Sequence, residues 1–298
     1  MMDVIIWYLL KKGPVNNMKH KKLIIILFAG VLLILFLLWQ NNAIVTTEYL
    51  YKSTKISSRF DGFKIAQVSD LHNKEFGKNQ RQLIAKLRKA NPDIIVLTGD
   101  QIDSKKTKID IAFEFVQEAL KISPVYYISG NHEAWLTTKD WNKLMGGLMP
   151  LGAIPMDNRV MEITKDGEFG FYLLGLGDSH LTDDTLSNQN SNIPKDKLQI
   201  LLAHEPQYLV NYSSSGVDLV LSGHAHGGQF RIPGLGGLVA PGQGFFPKYT
   251  SGPYQAGNTT MIVSRGLGNS IIPIRIFNRP QVIIVQLISL ADTSDDPL

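Results

Sequence analysis

Residues 63–103, FKIAQVSDLHNKEFGKNQRQLIAKLRKANPDIIVLTGDQID, hold the pattern that decides the fold. Residues 63–69 read as a strand, 79–90 carry Leu83, Ile84 and Leu87 at helical spacing, and 93–98 form a mostly apolar strand. The two strands end in polar clusters, Asp70-Leu71-His72 and Gly99-Asp100-Gln101-Ile102-Asp103. The rhythm continues with an amphipathic helix over 109–120, a strand over 125–129 and a helix over 138–145. A β-α-β-α-β order with apolar strands predicts a parallel sheet covered by helices.

Outward from this stretch the pattern changes. Residues 43–51, rich in β-branched and aromatic side chains, read as a strand. Residues 160–164 and 169–175 read as a hairpin around Asp166-Gly167, and 198–203 and 217–222 as two short buried strands joined by a helix near 206–211. Beyond Gly227 the chain is rich in glycine and proline, with further strands near 259–264 and 282–287. No internal repeat or linker divides the body, so one α/β domain with a β-rich second half is expected.

The chain has 298 residues, of which 44% are apolar and 19% charged, enough to bury a sizeable core. With a mean hydropathy of −0.01 it is neither a disordered tail nor a polytopic membrane protein. It has no cysteine, which excludes disulfide frameworks, thiolate metal sites and cysteine nucleophiles. A net charge of +4 invites a nucleic-acid reading, but the location of the charge removes it. Five lysines (Lys11, Lys12, Lys19, Lys21, Lys22) and one acid (Asp3) precede Leu23, so of 30 basic and 26 acidic residues the remainder carries 25 of each. No nucleic-acid partner is expected of that neutral body.

Directly after the lysines, residues 23–39 (LIIILFAGVLLILFLLW) contain no charge. As a helix they span roughly 26 Å, the low end for crossing a bilayer. With Trp39 at the interface and the lysines on the N-terminal side, this reads as a transmembrane signal anchor with the body on the extracytoplasmic side. A cleaved signal peptide is the competing reading, but Gln40-Asn41-Asn42-Ala43 offers no A-x-A site. A buried core helix is opposed by the uniform apolarity and basic flank. The run 4–10 is too short to span, and Met18 is an alternative start. The expected division is a basic cytoplasmic tail (1–22), an anchor (23–39), one catalytic domain (40–290) and a frayed polar tail (291–298), with a chain beginning near Ala43 as its soluble body.

Five of the seven histidines fall in clusters just after expected strands: His72; His132 in Gly130-Asn131-His132-Glu133; His204 in Ala203-His204-Glu205-Pro206; His224 and His226 in Gly223-His224-Ala225-His226-Gly227. Loops at the carboxyl ends of strands in an open α/β sheet converge on one crevice. Any one cluster is ordinary as a cap or a satisfied core histidine; the set together points to a site. Imidazole and carboxylate without thiolate suit two divalent ions such as Mn, Fe, Zn or Co. In an extended segment, D-x-H and H-x-H would each put two side chains on one side.

The ordered set D-x-H, G-D-x-x-D, G-N-H-E, a lone His and G-H-x-H resembles the calcineurin-like metallophosphoesterases, more closely their membrane-associated YkuE- and YaeI-like phosphodiesterase branch. The likeness runs from about residue 60 to 287 and includes Gly227-Gly228-Gln229, Ser264-Arg265-Gly266-Leu267-Gly268 and Phe277-Asn278-Arg279-Pro280. It implies a four-layer α/β/β/α sandwich behind one transmembrane helix. It also implies that Asp70, His72 and His226 hold one metal ion, that Asn131, His204 and His224 hold the other, and that Asp100 bridges them. A metal-bound hydroxide would attack phosphorus in line with the leaving group. His132 would stabilise the phosphoryl oxygens or protonate the leaving oxygen, with Asp103 orienting it through its other ring N–H.

Protein-phosphatase relatives continue G-D-x-x-D with Arg-Gly, whereas Asp103 is followed here by Ser104-Lys105. This counts against phosphoprotein substrates. Lys105 and Lys106 read as solvated loop charges, Arg265 and Arg275 as structural arginines with phosphate contact as the alternative, and His180 as a loop residue that could line the cleft. In residues 234–254, Leu235, Leu238, Phe245, Phe246 and Tyr249 either pack beneath the loop, the favoured reading, or form an apolar wall or bilayer-facing lip. The expected function is hydrolysis of a phosphodiester or pyrophosphate, small or lipid-linked, by a membrane-anchored binuclear enzyme. The alternative is a non-catalytic scaffold, which the complete ligand set opposes. A metallo-β-lactamase-like hydrolase is excluded because H-x-H comes last among the ligands, as His224-Ala225-His226-Gly227-Gly228.

Overall fold

The computed structural model describes residues 14–178, 183–269 and 272–290. The expected polar tail and His180 lie outside the described residues. The apolar run sits within helix α1 (Pro14–Asn42). Its Lys19–Asn42 portion is long and apolar enough to cross a membrane, and only 6% of its most apolar stretch is buried, so it is no core helix.

Behind it, β1 (Val45–Ser53), β2 (Lys64–Val68), α2 (Arg81–Ala90), β3 (Ile94–Thr98), α3 (Ile109–Ala119) and β4 (Val125–Ile128) follow in alternation. Next come the single turn α4 (Asn131–Ala134), α5 (Thr138–Leu151), β5 (Ile154–Pro155) and the hairpin β6 (Arg159–Lys165) and β7 (Glu168–Leu176). The second half adds α6 (Asp183–Asn190), β8 (Gln199–Ala203), α7 (Leu209–Ser214) and β9 (Leu219–Ser222). Four two-residue strands follow: β10 (Arg231–Ile232), β11 (Gly236–Gly237), β12 (Val239–Ala240) and β13 (Gly244–Phe245). Finally come β14 (Gly252–Ala256), β15 (Thr259–Val263) and β16 (Gln281–Ser289).

Two six-stranded sheets result, ordered β1-β16-β2-β3-β4-β5 and β14-β15-β9-β8-β7-β6. They face each other through one apolar cluster, which takes Ile65, Val96 and Ile128 from the first sheet and Ile200, Leu221 and Ile262 from the second. A second cluster joins the outer face of the first sheet (Val68, Ile95, Leu97) to Leu83 and Leu87 of α2, Phe115 of α3 and Leu144 of α5. A third joins the second sheet (Leu201, Val220, Met261) to Leu186 of α6 and Leu209 of α7. Helices, sheet, sheet and helices therefore succeed one another. Strands buried on both faces explain why β3, β8 and β9 read as continuous apolar runs. Between the sheets, the buried Gln67 Nε2 donates to Thr98 Oγ1 (3.0 Å) and to the Ser222 carbonyl (2.9 Å).

Topology decides where α1 attaches. β2, β3 and β4 are parallel, as are β7, β8, β9 and β15, so their carboxyl ends share one rim. β16 runs antiparallel to β2, and β1 parallel to β16, so β1 begins at that same rim and α1 feeds into it. The end of α1 is docked there. Gln40 Oε1 accepts from Asn278 N–H (3.2 Å), and Asn41 Oδ1 accepts from Asn269 Nδ2 (3.0 Å) and Arg275 N–H (3.2 Å). A chain beginning at Ala43 would lack both of these acceptors, the buried Gln40 and the half-buried Asn41. Asn41→Ala leaves two donors unpaired at about 1–3 kcal/mol. The detergent-solubilised full chain should then melt several degrees lower, at about 2–4 °C per kcal/mol. An unchanged Tm contradicts the docking.

Candidate metal centre

The site forms where the strands end. The N–H groups of Asp70, His72 and Asn73 donate to the carbonyls of Gly99 (3.0 Å), Asp100 (3.1 Å) and Gln101 (3.3 Å), so the loops after β2 and β3 run side by side. Asp70, His72, Asp100, His224 and His226 take positive φ angles of 52°, 46°, 53°, 63° and 47°. The left-handed region is sparsely used by residues other than glycine, and its cost persists only where surrounding structure fixes it. Alternation along an extended segment, expected from D-x-H and H-x-H, is thus not what aims these side chains. Tight turns do so.

Asp100 divides its carboxylate. Oδ1 accepts the His132 main-chain N–H (2.9 Å), while Oδ2 lies 3.4 Å from His72 Nε2 and 3.3 Å from His204 Nε2. On the first side, His72 Nε2 faces His226 Nε2 at 3.2 Å, and His226 Nε2 stands 3.6 Å from Asp70 Oδ1. On the second, His204 Nε2 is 3.1 Å from Asn131 Oδ1 and 3.2 Å from His224 Nδ1. His204 Nδ1 must carry a proton, since its partner 2.7 Å away is the Thr98 carbonyl, and this turns Nε2 toward the site.

Ligand atoms of Asp70, His72, Asp100 and His226 lie within 4.8 Å of one another, as do those of Asp100, His204 and His224. Oxygen and imidazole lone pairs crowded this closely repel unless cations lie among them. His72 Nδ1 and His226 Nδ1 are buried without a hydrogen-bond partner among the described residues. The donor set, with no thiolate, fits two borderline divalent ions sharing Asp100.

Electrostatics agrees with that fit. Burial pushes the imidazoles of His72 and His224 down to about 4 and about 3, and burial with His72 nearby holds His226 well below its ordinary value. All three are neutral lone-pair donors at neutral pH. Burial raises Asp70 to about 6. For Asp100 the upward push of burial is outweighed by His204 and His72, which hold the carboxylate ionised well below its usual range. For His204 the downward push of burial is outweighed by Asp100, so its imidazole is held well above its ordinary value. That proton carries the charge a divalent ion would replace.

Glu133 was visible in G-N-H-E, but its role was not. Its buried carboxylate accepts main-chain N–H groups from Asp100 and Gly130 at Oε2 (2.8 Å each) and from Gln101 (2.8 Å) and Ile102 (3.2 Å) at Oε1. It ties the β3 and β4 loops together, and burial with Asp100 close by pushes it up to about 8. Gly130 allows the same approach, since a Cβ there would fall on Asp100 Oδ1 and within 2.9 Å of His204 Nε2. Glu205, also quoted without a role, places Oε1 3.7 Å from His224 Nε2.

The orientation of His132 differs from expectation. Asp103 Oδ1 accepts instead from the N–H groups of Lys105 (2.8 Å) and Lys106 (3.2 Å), closing its own turn. The contact at His132 Nδ1 comes from Ser104, through its N–H (3.1 Å) and hydroxyl (3.3 Å). A main-chain N–H can only donate, so Nδ1 accepts and neutral His132 carries its proton on Nε2. Asp103 remains close, with a carboxylate oxygen within 4.8 Å of ring nitrogens of His132 and His72.

A cavity of about 540 Å³ opens over Asn131, His132 and His224, with Asp103, Lys105, Lys106, Trp135, Glu205, Pro241 and Gly242 around it. Lys105 and Lys106 are exposed, as expected, yet stand on its wall. Arg275 is structural: fully buried, it donates to the Arg265 carbonyl (2.8 Å), the Gly268 carbonyl and Asn269 Oδ1 (3.0 Å). Tyr249 is buried, whereas Leu235, Phe245 and Phe246 are 75%, 81% and 74% exposed and do not pack beneath their loop.

Residues 63–228 match the calcineurin-like phosphoesterases. The chain is 31% identical over 258 residues, covering 83% of it and 87% of the relative, to the uncharacterized metallophosphoesterase YkuE of Bacillus subtilis. It is 28% identical over 230 residues, 76% and 82% of the two chains, to the phosphodiesterase YaeI of Escherichia coli. A Danio rerio transmembrane protein with a metallophosphoesterase domain is 26% identical over 244 residues, 76% of this chain and 54% of that one. The chain belongs to the calcineurin-like phosphoesterase family and is a metal-dependent phosphoester hydrolase.

Two substitutions test the centre. Asp100→Asn should abolish turnover and lower the content of both ions, measured by elemental analysis; retained activity contradicts the shared carboxylate. Glu133→Gln, which keeps the shape but sets an amide NH2 where one oxygen accepted two main-chain N–H groups, should lower Tm and metal content together. Unchanged metal content would show that Glu133 does not hold the loops.

Proposed function

We propose that this chain is a membrane-anchored, two-metal phosphodiesterase or pyrophosphatase whose substrate includes lipid-linked phosphoesters. The observation that carries the reading is Asp100 Oδ2, placed between histidines of the two ligand groups. The exposed apolar α1 supports anchorage, with the body expected on the extracytoplasmic side. Two divalent ions held by Asp70, His72, His226 and by Asn131, His204, His224, with Asp100 between, would supply Lewis acidity and an ionised nucleophile at neutral pH.

The chain's own residues supply the rest. His132, its Nδ1 committed to Ser104, presents an Nε2 proton to the leaving oxygen. Ser104-Lys105 stands where phosphoprotein phosphatases have Arg-Gly, and Lys105 and Lys106 on the cavity wall would hold a second anionic group. That favours a pyrophosphate, or a diester that carries a further anionic group, over a simple monoester. Trp135, 64% exposed with its ring 5.1 Å from that of His132, gives the leaving group an apolar wall.

The test is a substrate panel on purified full chain with added divalent ions: aryl monoester, aryl diester, nucleoside-diphosphate sugar and phospholipid. Metal-dependent turnover confined to diesters or pyrophosphates is expected; monoester turnover alone overturns the reading. His132→Ala should lower kcat by about two to four orders of magnitude with metal content retained. Lys105→Ala/Lys106→Ala should raise KM for the pyrophosphate far more than for the aryl diester, and an equal effect on both would remove the lysines from substrate recognition.

A further inference from the structure

Several of the apolar residues left exposed on the body, Ile232, Leu235, Phe245, Phe246, Ile274 and Phe277, belong to residues 230–277. Phe277 meets Phe36 of α1 edge-on at 5.7 Å between ring centroids. It also lines a shallow apolar hollow with Phe230, Ile232, Pro233, Leu238 and Ile276. The hollow is built by main-chain bonds: Arg231 N–H donates to the Ile276 carbonyl (3.0 Å), and Leu238 N–H to the Phe230 carbonyl (2.9 Å). Phe246 N–H then donates to the Leu238 carbonyl (2.9 Å), and β12 pairs Val239 with Phe245. Phe277 thus joins α1 to the hollow, and main-chain bonds lead from Leu238 at its edge to Phe245 and Phe246.

Its height relative to a bilayer can be read from α1. Trp39, half exposed at the end of the apolar run, lies under the Arg279 guanidinium, 4.6 Å from the ring centroid. A tryptophan beside an arginine at the end of an apolar helix marks the membrane–water boundary. The docking of Gln40 and Asn41 fixes the body at that level. On the same rim, Pro241 and Gly242 of the β12–β13 turn line the catalytic cavity, and the next exposed aromatics are Phe245 and Phe246. Lys248 follows them, exposed, its ammonium over the Tyr249 ring, a cation suited to anionic headgroups.

We propose that Ile232, Leu235, Phe245, Phe246 and Phe277 form a second membrane contact, a lip that inserts into the bilayer interface beside α1 and sets the cavity mouth at headgroup depth. Exposed aromatic and aliphatic side chains this concentrated mark a contact surface, and interfacial binding draws on both apolar burial and basic residues. The occupant is lipid, because Phe277 joins the patch to the one helix suited to hydrocarbon among the described residues. The proposal rests on the anchor part of the function proposed above and not on the chemistry.

The chain contains no cysteine, so single cysteines can be placed without background. Full-length Phe245→Cys and Leu235→Cys, labelled with an environment-sensitive fluorophore, are reconstituted in vesicles of phosphatidylethanolamine and phosphatidylglycerol with and without doxyl-labelled lipids. Leu33→Cys in α1 reports the anchor. Lys121→Cys, on the loop entering β4 at the opposite end of the sheet, reports water. The labels at 245 and 235 should emit blue-shifted and lose intensity with doxyl lipids, as Leu33→Cys does, while Lys121→Cys does neither. If Leu33→Cys is quenched but 245 and 235 behave like 121, the lip is overturned and the anchor stands. If Leu33→Cys itself is unquenched, the anchor reading fails and the lip with it. A blue shift at 245 that ignores doxyl lipids and grows with protein-to-lipid ratio overturns the proposal in favour of a second copy of this chain.

Discussion

The Asp100 carboxylate sets the terms for the rest of the molecule. With Oδ1 committed to the His132 N–H, Oδ2 is left between His72, carried by the first sheet, and His204, carried by the second. One atom serves both sheets only if they pack at a fixed spacing. The interlayer cluster and the Gln67 bonds supply that spacing. A buried carboxylate facing two histidines is also costly unless their charges balance, so the same geometry that requires tight packing requires cations.

The surrounding turns show how such crowding is tolerated. Five of the clustered residues, Asp70, His72, Asp100, His224 and His226, sit at positive φ, and Gly130 clears space beside Asp100 where any Cβ would collide. These strained positions are held by Glu133, which gathers four N–H groups from two loops, and by the paired loops after β2 and β3. On the far side, Asn278 Nδ2 donates to the His226 carbonyl (2.7 Å) while its own N–H is held by Gln40 of α1. The apolar helix is thus one hydrogen-bonded residue removed from His226, and its end and the candidate site share a rim.

Much of this was legible in the sequence, for identifiable reasons. β3, β8 and β9 are apolar on both faces, and the polar clusters that follow them carry the residues that the structure brings together, because side-chain type carries that information. Directions were not legible. The spacing of Asp70 and His72 looks the same in an extended segment as in a left-handed turn, and only the bonds to Gly99, Asp100 and Gln101 decide between them. Asp103 was expected to orient His132 on the strength of the family resemblance, but two nearby N–H groups claim Oδ1, and neutral Ser104 makes the contact. Apart from the local Gly130 N–H, Glu133 acts through main-chain groups of the β3 loop about thirty residues away, which no side-chain pattern records. Phe245 and Phe246 looked like loop packing because apolar residues in a glycine-rich segment usually find cover; here the short β12–β13 hairpin leaves them outside.

Sharing of Asp100 by both ions is most directly read by paramagnetic resonance of the Mn(II)-loaded full chain. Two ions bridged by one carboxylate give an exchange-coupled spectrum that collapses to isolated-ion signals in Asp100→Asn. The geometry predicts the coupled spectrum at full loading. A spectrum of isolated Mn(II) ions at full loading of the unmodified chain would contradict it.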